Sequence, residues 1–259
     1  MQIIGIDGFN SYIANSFYNK YKNKYKIYKY KFDINNINEL RKFINKRKIK
    51  IFIRLAGFSR TKCSEQPDKC YTTNYIANKK LVNLLITKKI KLIFLSTSHV
   101  YSFSNKKINE KFKTSTKNDY AKFKLKSENY INKYLENYLI IRVFNIYGKN
   151  QPKGYFISDI KEKIKNKQKI LINNSYRDFI HVDEVSRFLT FSIQKNLKGI
   201  FNLGSGKSYN LGNIIKMISN KMKIKYDLKK NKKTDKLVCD NTLIKKNGFK
   251  VRNEKNFSF

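Results

Sequence analysis

Tryptophan is absent from this chain, proline occurs twice, alanine four times, and 18 acidic residues face 57 lysines and arginines. No uninterrupted apolar run approaches the roughly 18–20 residues of a membrane-spanning helix, so no membrane span is expected. The first residues, Met1-Gln2-Ile3-Ile4-Gly5-Ile6-Asp7-Gly8, lack a basic leader and carry Asp7 inside the apolar stretch, unlike a secretory signal. The three cysteines, Cys63, Cys70 and Cys239, form no C-x-x-C pair and no even framework. Free thiols in a reducing, cytoplasmic setting are expected, without a metal site.

The shortage of acid leaves a formal net charge of +39. Such a charge raises the question of nucleic-acid binding. Only eight of the 57 basic residues are arginine, however. The planar guanidinium is the usual reader of phosphates and base edges. The lysines are spread along the whole chain instead of forming a block. Lys, Asn, Ile, Tyr and Phe, whose codons are rich in A and T, are all abundant. Drift in composition accounts for the charge, and no specific nucleic-acid partner is expected. Weak, salt-sensitive association with polyanions follows in any case.

What is present is a core-forming chain of 259 residues, 41% of them hydrophobic. Residues 2–6, 25–32, 49–55, 90–96 and 138–144 read as strands. Residues 11–22, 37–44, 68–87 and 120–138 read as helices. This alternation predicts an α/β, doubly wound parallel sheet of Rossmann type over residues 1–148, covered on both faces. Beyond it, residues 149–259 loosen into a polar loop around Pro152 and mixed pieces, including 183–194 and 199–203. These predict a smaller C-terminal lobe, some of whose elements pack back on the sheet.

Two constellations carry chemistry. Gly5-x-x-Gly8-x-x-Ser11 follows the first strand and opens a helix, as a pyrophosphate-binding turn does. Ser11 stands where a third glycine is usual, and Asp7 places a negative charge near the expected phosphates unless it caps backbone donors. The second strand carries Lys26, Lys29 and Lys31 in place of a ribose-binding acid. The other constellation is Tyr120-x-x-x-Lys124, preceded by Thr97 in Ser96-Thr97-Ser98-His99. The same Tyr/Lys spacing recurs at Tyr18/Lys22, Tyr25/Lys29 and Tyr226/Lys230, so the spacing alone says little. On a helix the two side chains share one face. An ammonium beside a phenol would lower its pKa from about 10 toward neutrality, fitting it for proton transfer. His181, within an apolar stretch, reads as a packed histidine.

The ordered set is more specific. It runs through Gly5-Ile6-Asp7-Gly8-Phe9, Asp33-Ile34, Leu55-Ala56-Gly57, Glu65-Gln66-Pro67, Asn74, Ser96 to Tyr101, and Tyr120/Lys124. It continues through Arg142 to Gly148, Arg177 to Val185, Phe201 to Gly206, and Asp240 to Phe249. In this the chain resembles the extended short-chain dehydrogenase/reductases, specifically the NAD-dependent epimerase/dehydratase group that modifies nucleotide sugars. The resemblance implies NAD or NADP as cofactor and a nucleotide-sugar substrate, with the C-terminal lobe mainly substrate-binding. It implies catalytic roles for Thr97, Tyr120 and Lys124. It implies cofactor contacts at Gly5, Gly8, Phe9, Asp33, Leu55, Ala56, Gly57, Asn74, Tyr120 and Lys124. Thr97, Asn145 and Arg177 would hold the substrate, Arg177 at its diphosphate. Ser98 and His99 replace an acidic pair that dehydratases often carry, which favours a 4-keto reductase or 4-epimerase. A non-catalytic dinucleotide-binding relative is the alternative, and a homodimer is an open expectation. The stretch between the second and third strands is compressed, and the chain stops soon after Phe249.

Overall fold

A computed structural model describes residues 1–252, the side chain of Lys230 aside. Residues 253–259 of the expected C-terminal lobe lie outside the described residues. The first half alternates β1 (Ile3–Ile6), α1 (Tyr12–Tyr21), β2 (Lys26–Lys29), α2 (Ile37–Lys46) and β3 (Ile51–Arg54). Then come α3 (Arg60–Glu65), α4 (Pro67–Tyr71), a π-helical turn over Thr72–Ile76, α5 (Ala77–Leu85) and β4 (Lys91–Thr97). They lead to α6 (Asp119–Tyr134) and β5 (Tyr138–Val143). The second half contains β6 (Asn145–Tyr147), α7 (Phe156–Lys165), β7 (Ile170–Arg177), β8 (Phe179–His181), α8 (Val182–Gln194) and β9 (Gly199–Leu203). It ends in β10 (Tyr209–Asn210), α9 (Leu211–Met222), β11 (Leu228–Leu237) and α10 (Thr242–Lys246).

Six parallel strands form the central sheet in the order β2-β1-β3-β4-β5-β9, the Rossmann-type α/β arrangement. Short apolar strands alternate their side chains between two covered faces. Ile4, Ile6, Ile51 and Ile53 pack with Phe17 and Phe188 on one face, whereas Phe52, Leu92 and Phe94 pack with Leu81 and Ile131 on the other. Only α2 joins β2 to β3, in keeping with the compressed spacing. The chain goes outward from β1 to β2, then returns to the other side of β1 for β3. That reversal leaves a crevice at the carboxyl ends of β1 and β3, where such sheets bind ligands.

The helix expected over 68–87 is broken. Gln66 leaves helical geometry at φ −138 and ψ 70, Pro67 starts α4, and the π turn precedes α5. A proline cannot continue a preceding helix but suits the first turn of the next. Beyond β5 the chain builds a three-stranded sheet β10-β7-β11 and a parallel pair β6-β8, with α7 and α9 packed around Ile157, Ile160, Ile170 and Ile214. The strand β9 returns to the main sheet.

Candidate active site

Thr97 ends β4, and a short 3-10 turn over Ser98–Val100 follows at the sheet's carboxyl edge. Its hydroxyl accepts from the His99 amide at 3.2 Å and lies beside the Tyr120 phenol, whose ionised form it favours. Asn118 caps α6 by accepting from the Ala121 amide at 3.0 Å, which sets Tyr120 in the first turn and Lys124 one turn later. The Lys124 side chain is 7% exposed, donates to the Leu95 carbonyl at 2.8 Å and lies 4.7 Å from the Phe94 ring centre. Burial, with the nearby Arg54 charge, pushes its pKa down to about 7, against Asp7 and Glu128. The Tyr120 phenol is not lowered as its spacing suggests. Burial pushes it up, and the Thr97 hydroxyl works the other way. Lys124 spends its ammonium on Leu95, so the phenol feels desolvation first.

The depressed lysine has a measurable consequence. An unfolded chain keeps this proton to about pH 10.5, the folded chain only to about 7. Between those values unfolding takes up a proton, so stability rises with pH, by up to about 1.4 kcal/mol per pH unit. Below the folded value the buried ammonium carries its full cost. Denaturant titrations across this range should show a shallower climb for Lys124→Met than for wild type. Identical slopes would contradict the buried ammonium.

A buried charge network fixes α6 against the sheet. Glu128, one turn beyond Lys124, receives Nε and Nη2 of Arg142 on β5 at 3.0 and 2.6 Å, and the Ser96 hydroxyl from β4. The Arg142 Nη1 reaches the Tyr101 hydroxyl at 2.7 Å, which donates to Asn202 on β9 at 2.9 Å. Four elements are thus tied together directly behind Thr97, Tyr120 and Lys124.

The glycine turn is sound despite its departures. Gly8 has φ +60, and a Cβ there would lie 2.5 Å from the Ala56 amide nitrogen, so only glycine lets the turn close on the end of β3. Asp7 is 2% exposed and faces inward. It accepts from the amides of Leu55 and Ala56 at 2.6 and 2.9 Å and pairs with Arg54. Its charge is therefore neutralised and its lone pairs are used on backbone donors. Ser11 serves as the N-cap of α1, accepting from the Ala14 amide at 3.2 Å. The amides of Tyr12 and Ile13 belong to the first turn, which a helix cannot satisfy itself. These features fit a pyrophosphate. Gly5 sits within β1, where a Cβ would come 3.1 Å from Phe43 and Phe52.

Asn74 lies behind the loop after β3 instead of lining the cleft. Its Oδ1 accepts from the Phe58 amide at 2.7 Å and its Nδ2 donates to the Phe58 carbonyl at 3.1 Å. It thereby positions Gly57, whose missing Cβ would lie 2.9 Å from Asn74 Oδ1 and 3.7 Å from Lys124 Nζ. Beside it, Cys63 and Cys70 are joined in a disulfide, correcting the expectation of free thiols; Cys239 is free and buried. Seven residues along one straight helix span about 10 Å. The break at Gln66 folds α3 back on α4 and brings the two Cα atoms to 5.0 Å. Asp33 is exposed and accepts from the Asn35 amide at 2.9 Å, capping its own turn after β2.

Ser11, Ile13, Leu55 and Gly57 share one cleft of about 850 Å³ with Thr97, Tyr120 and Lys124, and with Asn145 and Arg177 from the second half. Asn145 donates to the Asp178 carbonyl at 2.9 Å. Arg177 is held by Asp235 at 2.5 Å and lies 4.7 Å from the Phe103 ring centre. Arg60 and Lys117 add two cations to the lining that the sequence reading did not select, and Asp159 is the one carboxylate among those lining residues, accepting from the Gly154 amide at 2.7 Å. Arg60 opens α3 just after Leu55-Ala56-Gly57, which is the signal that could have found it. His99 is half-buried near Tyr120; burial and the charges of Arg60 and Arg177 push its pKa down to about 4, leaving it neutral. His181 instead caps α8, its Nδ1 accepting from the Asp183 amide at 3.3 Å.

The family model for the NAD dependent epimerase/dehydratase family matches residues 11–212. The chain belongs to that family. It is 29% identical over 203 residues to the ADP-L-glycero-D-manno-heptose-6-epimerase of Brachyspira hyodysenteriae, a match covering 71% of this chain and 62% of that enzyme. The chain thus spans under two thirds of that relative's length. The fold is similar to a Bacillus anthracis dTDP-4-dehydrorhamnose reductase in complex with NADP, at 18% identity and TM-score 0.85. It is also similar to a Thermus thermophilus UDP-glucose 4-epimerase in complex with NAD, at 14% identity and TM-score 0.86. Each likeness covers 98% of this chain and 95% of the other. Family members depend on NAD or NADP. No helix among the described residues is long and apolar enough to cross a membrane.

Proposed function

We propose that the chain is an NAD(P)-dependent nucleotide-sugar epimerase or reductase in which Tyr120 handles the proton of a sugar oxygen. The convergence of Thr97, Tyr120 and Lys124 in one cleft with Arg60 and Arg177 carries this reading. The nicotinamide, when bound, supplies or accepts the hydride. Gly8 and the first amides of α1 hold the pyrophosphate, with Gly5 supporting the turn from β1. Leu55, Ala56 and Gly57 line the ribose–nicotinamide side, and Phe9 and Asp33 the adenosine edge. Lys124 and Thr97 orient the reacting groups. Asn145 and Arg177 hold the nucleotide sugar, and Arg60 joins Arg177 at its diphosphate. Residues 149–252 supply most of that half of the site.

Two features support reduction or epimerisation over dehydration. His99 is neutral and lies where a dehydratase acid would stand, and Asp159 is occupied by backbone. A phenol raised by burial keeps its proton near neutrality, which suits delivery to a carbonyl oxygen. Thermal shifts with a panel of nucleotide sugars test the reading. A ligand at a hundredfold its dissociation constant adds about 2.7 kcal/mol. The shift should vanish in Arg177→Ala and weaken in Arg60→Ala while the dinucleotide shift persists. No shift with any nucleotide sugar would count against the proposal.

A further inference from the structure

The carboxyl end of β2 carries a cation where an acid would bind a ribose hydroxyl. Lys29 ends β2 and lies opposite Ile6 in the parallel register, just before the Asp7-Gly8 turn. Its ammonium is 3.5 Å from the Phe9 ring centre and 3.6 Å from that of Tyr18. The two rings, one from the glycine turn and one from α1, meet edge to face at 5.6 Å. Aromatic faces hold a cation without neutralising it. No carboxylate among the described residues forms an ion pair with Lys29, which presents its charge at the edge of the turn.

The carboxylates nearest to it along the chain have other partners. Asp7 is buried against Arg54 and two amides. Asp33 accepts from Asn35, and Glu39 pairs with Lys42 at 2.9 Å. In dinucleotide-binding folds, the end of the second strand faces the 2′ position of the adenosine ribose. An acid there accepts from the hydroxyl, and a cation receives a 2′-phosphate. We infer that this chain takes NADP(H) in preference to NAD(H), with Lys29, steadied by Phe9 and Tyr18, as the residue that sets the choice.

The inference rests on the dinucleotide site alone, so it stands or falls separately from the sugar chemistry. The net charge of +39 attracts every anion, and NADPH more than NADH. The proposal requires the gain to be local. Lys31, exposed two residues further on, is the control. Fluorescence titration of the full chain at physiological salt should give NADPH an affinity about ten- to hundredfold above NADH. Lys29→Glu should abolish or invert that ratio, and Lys31→Glu should keep most of it. Should Lys29→Glu fold poorly, Lys29→Met removes the charge with similar bulk and is expected to lose the preference too. Competition by 2′-phospho-ADP-ribose against ADP-ribose repeats the comparison without a nicotinamide or any turnover. Equal affinities in wild type, or equal losses in Lys29→Glu and Lys31→Glu, would overturn the inference. Failure of both dinucleotides to bind would overturn the dinucleotide site itself, and this inference with it.

Discussion

Tyr120→Phe is expected to lower turnover by about 10²–10⁴-fold, the usual contribution of a positioned acid or base. Binding of the dinucleotide should be nearly unchanged. The substitution removes one hydroxyl and keeps the ring, whose neighbours include His99 at a centroid distance of 6.1 Å. The cap at Asn118 and the Glu128 network that place α6 do not involve that hydroxyl. A structural defect is therefore a poor explanation for lost activity. Thr97→Val should lose less, because it leaves in place the phenol that carries the proton. Single-turnover kinetics, with dinucleotide and nucleotide-sugar affinities measured in parallel, separate chemistry from binding. Wild-type turnover surviving in Tyr120→Phe would remove the tyrosine from its role. Dinucleotide binding with no turnover by wild type on any nucleotide sugar would favour the non-catalytic alternative.

The parts of the fold that were legible were those governed by local pattern. Strands β1, β3, β4 and β5 are short apolar runs buried on both faces, and such runs announce themselves. Tyr120 and Lys124 were legible only through their order relative to Thr97, since three other Tyr/Lys pairs share the spacing. What was hidden depends on distant partners. Asp7 looked unfavourable in the glycine turn until Arg54 on β3 was seen to take its charge. Asn74 acts through Phe58, sixteen residues away in sequence, and the Cys63–Cys70 link depends on a helix break. The strand β11, Leu228–Leu237, is rich in lysine and shows no apolar alternation; its identity comes from pairing with β7, across a register shift between Asn231 and Thr234. Arg60 and Arg177 line one cleft from opposite halves of the chain, a convergence that no local window contains.

The largest loss of stability is expected where α6 meets the sheet. Glu128 is 1% exposed on its side chain and Arg142 6%, and the two share a charge-assisted pair at 2.6 Å. Taking charge out of water is costly, so this pair need not stabilise the fold relative to an apolar one. Removing one partner is different, because the other is left buried and unpaired. Glu128→Gln should therefore cost about 3–5 kcal/mol. For a chain of this size that lowers the melting temperature by about 10 °C. Arg142 would lose its carboxylate, and the Ser96 and Tyr101 contacts would have to rearrange around it. The double variant Glu128→Leu with Arg142→Met removes both charges and should recover much of that loss. Recovery would show that the cost of the single change is an orphaned guanidinium and not lost packing. A double variant as unstable as Glu128→Gln would contradict that account. Activity provides the second readout. Because the network lies behind Thr97, Tyr120 and Lys124, a double variant that regains stability without regaining turnover would mean that the charges hold α6 in the register the chemistry needs.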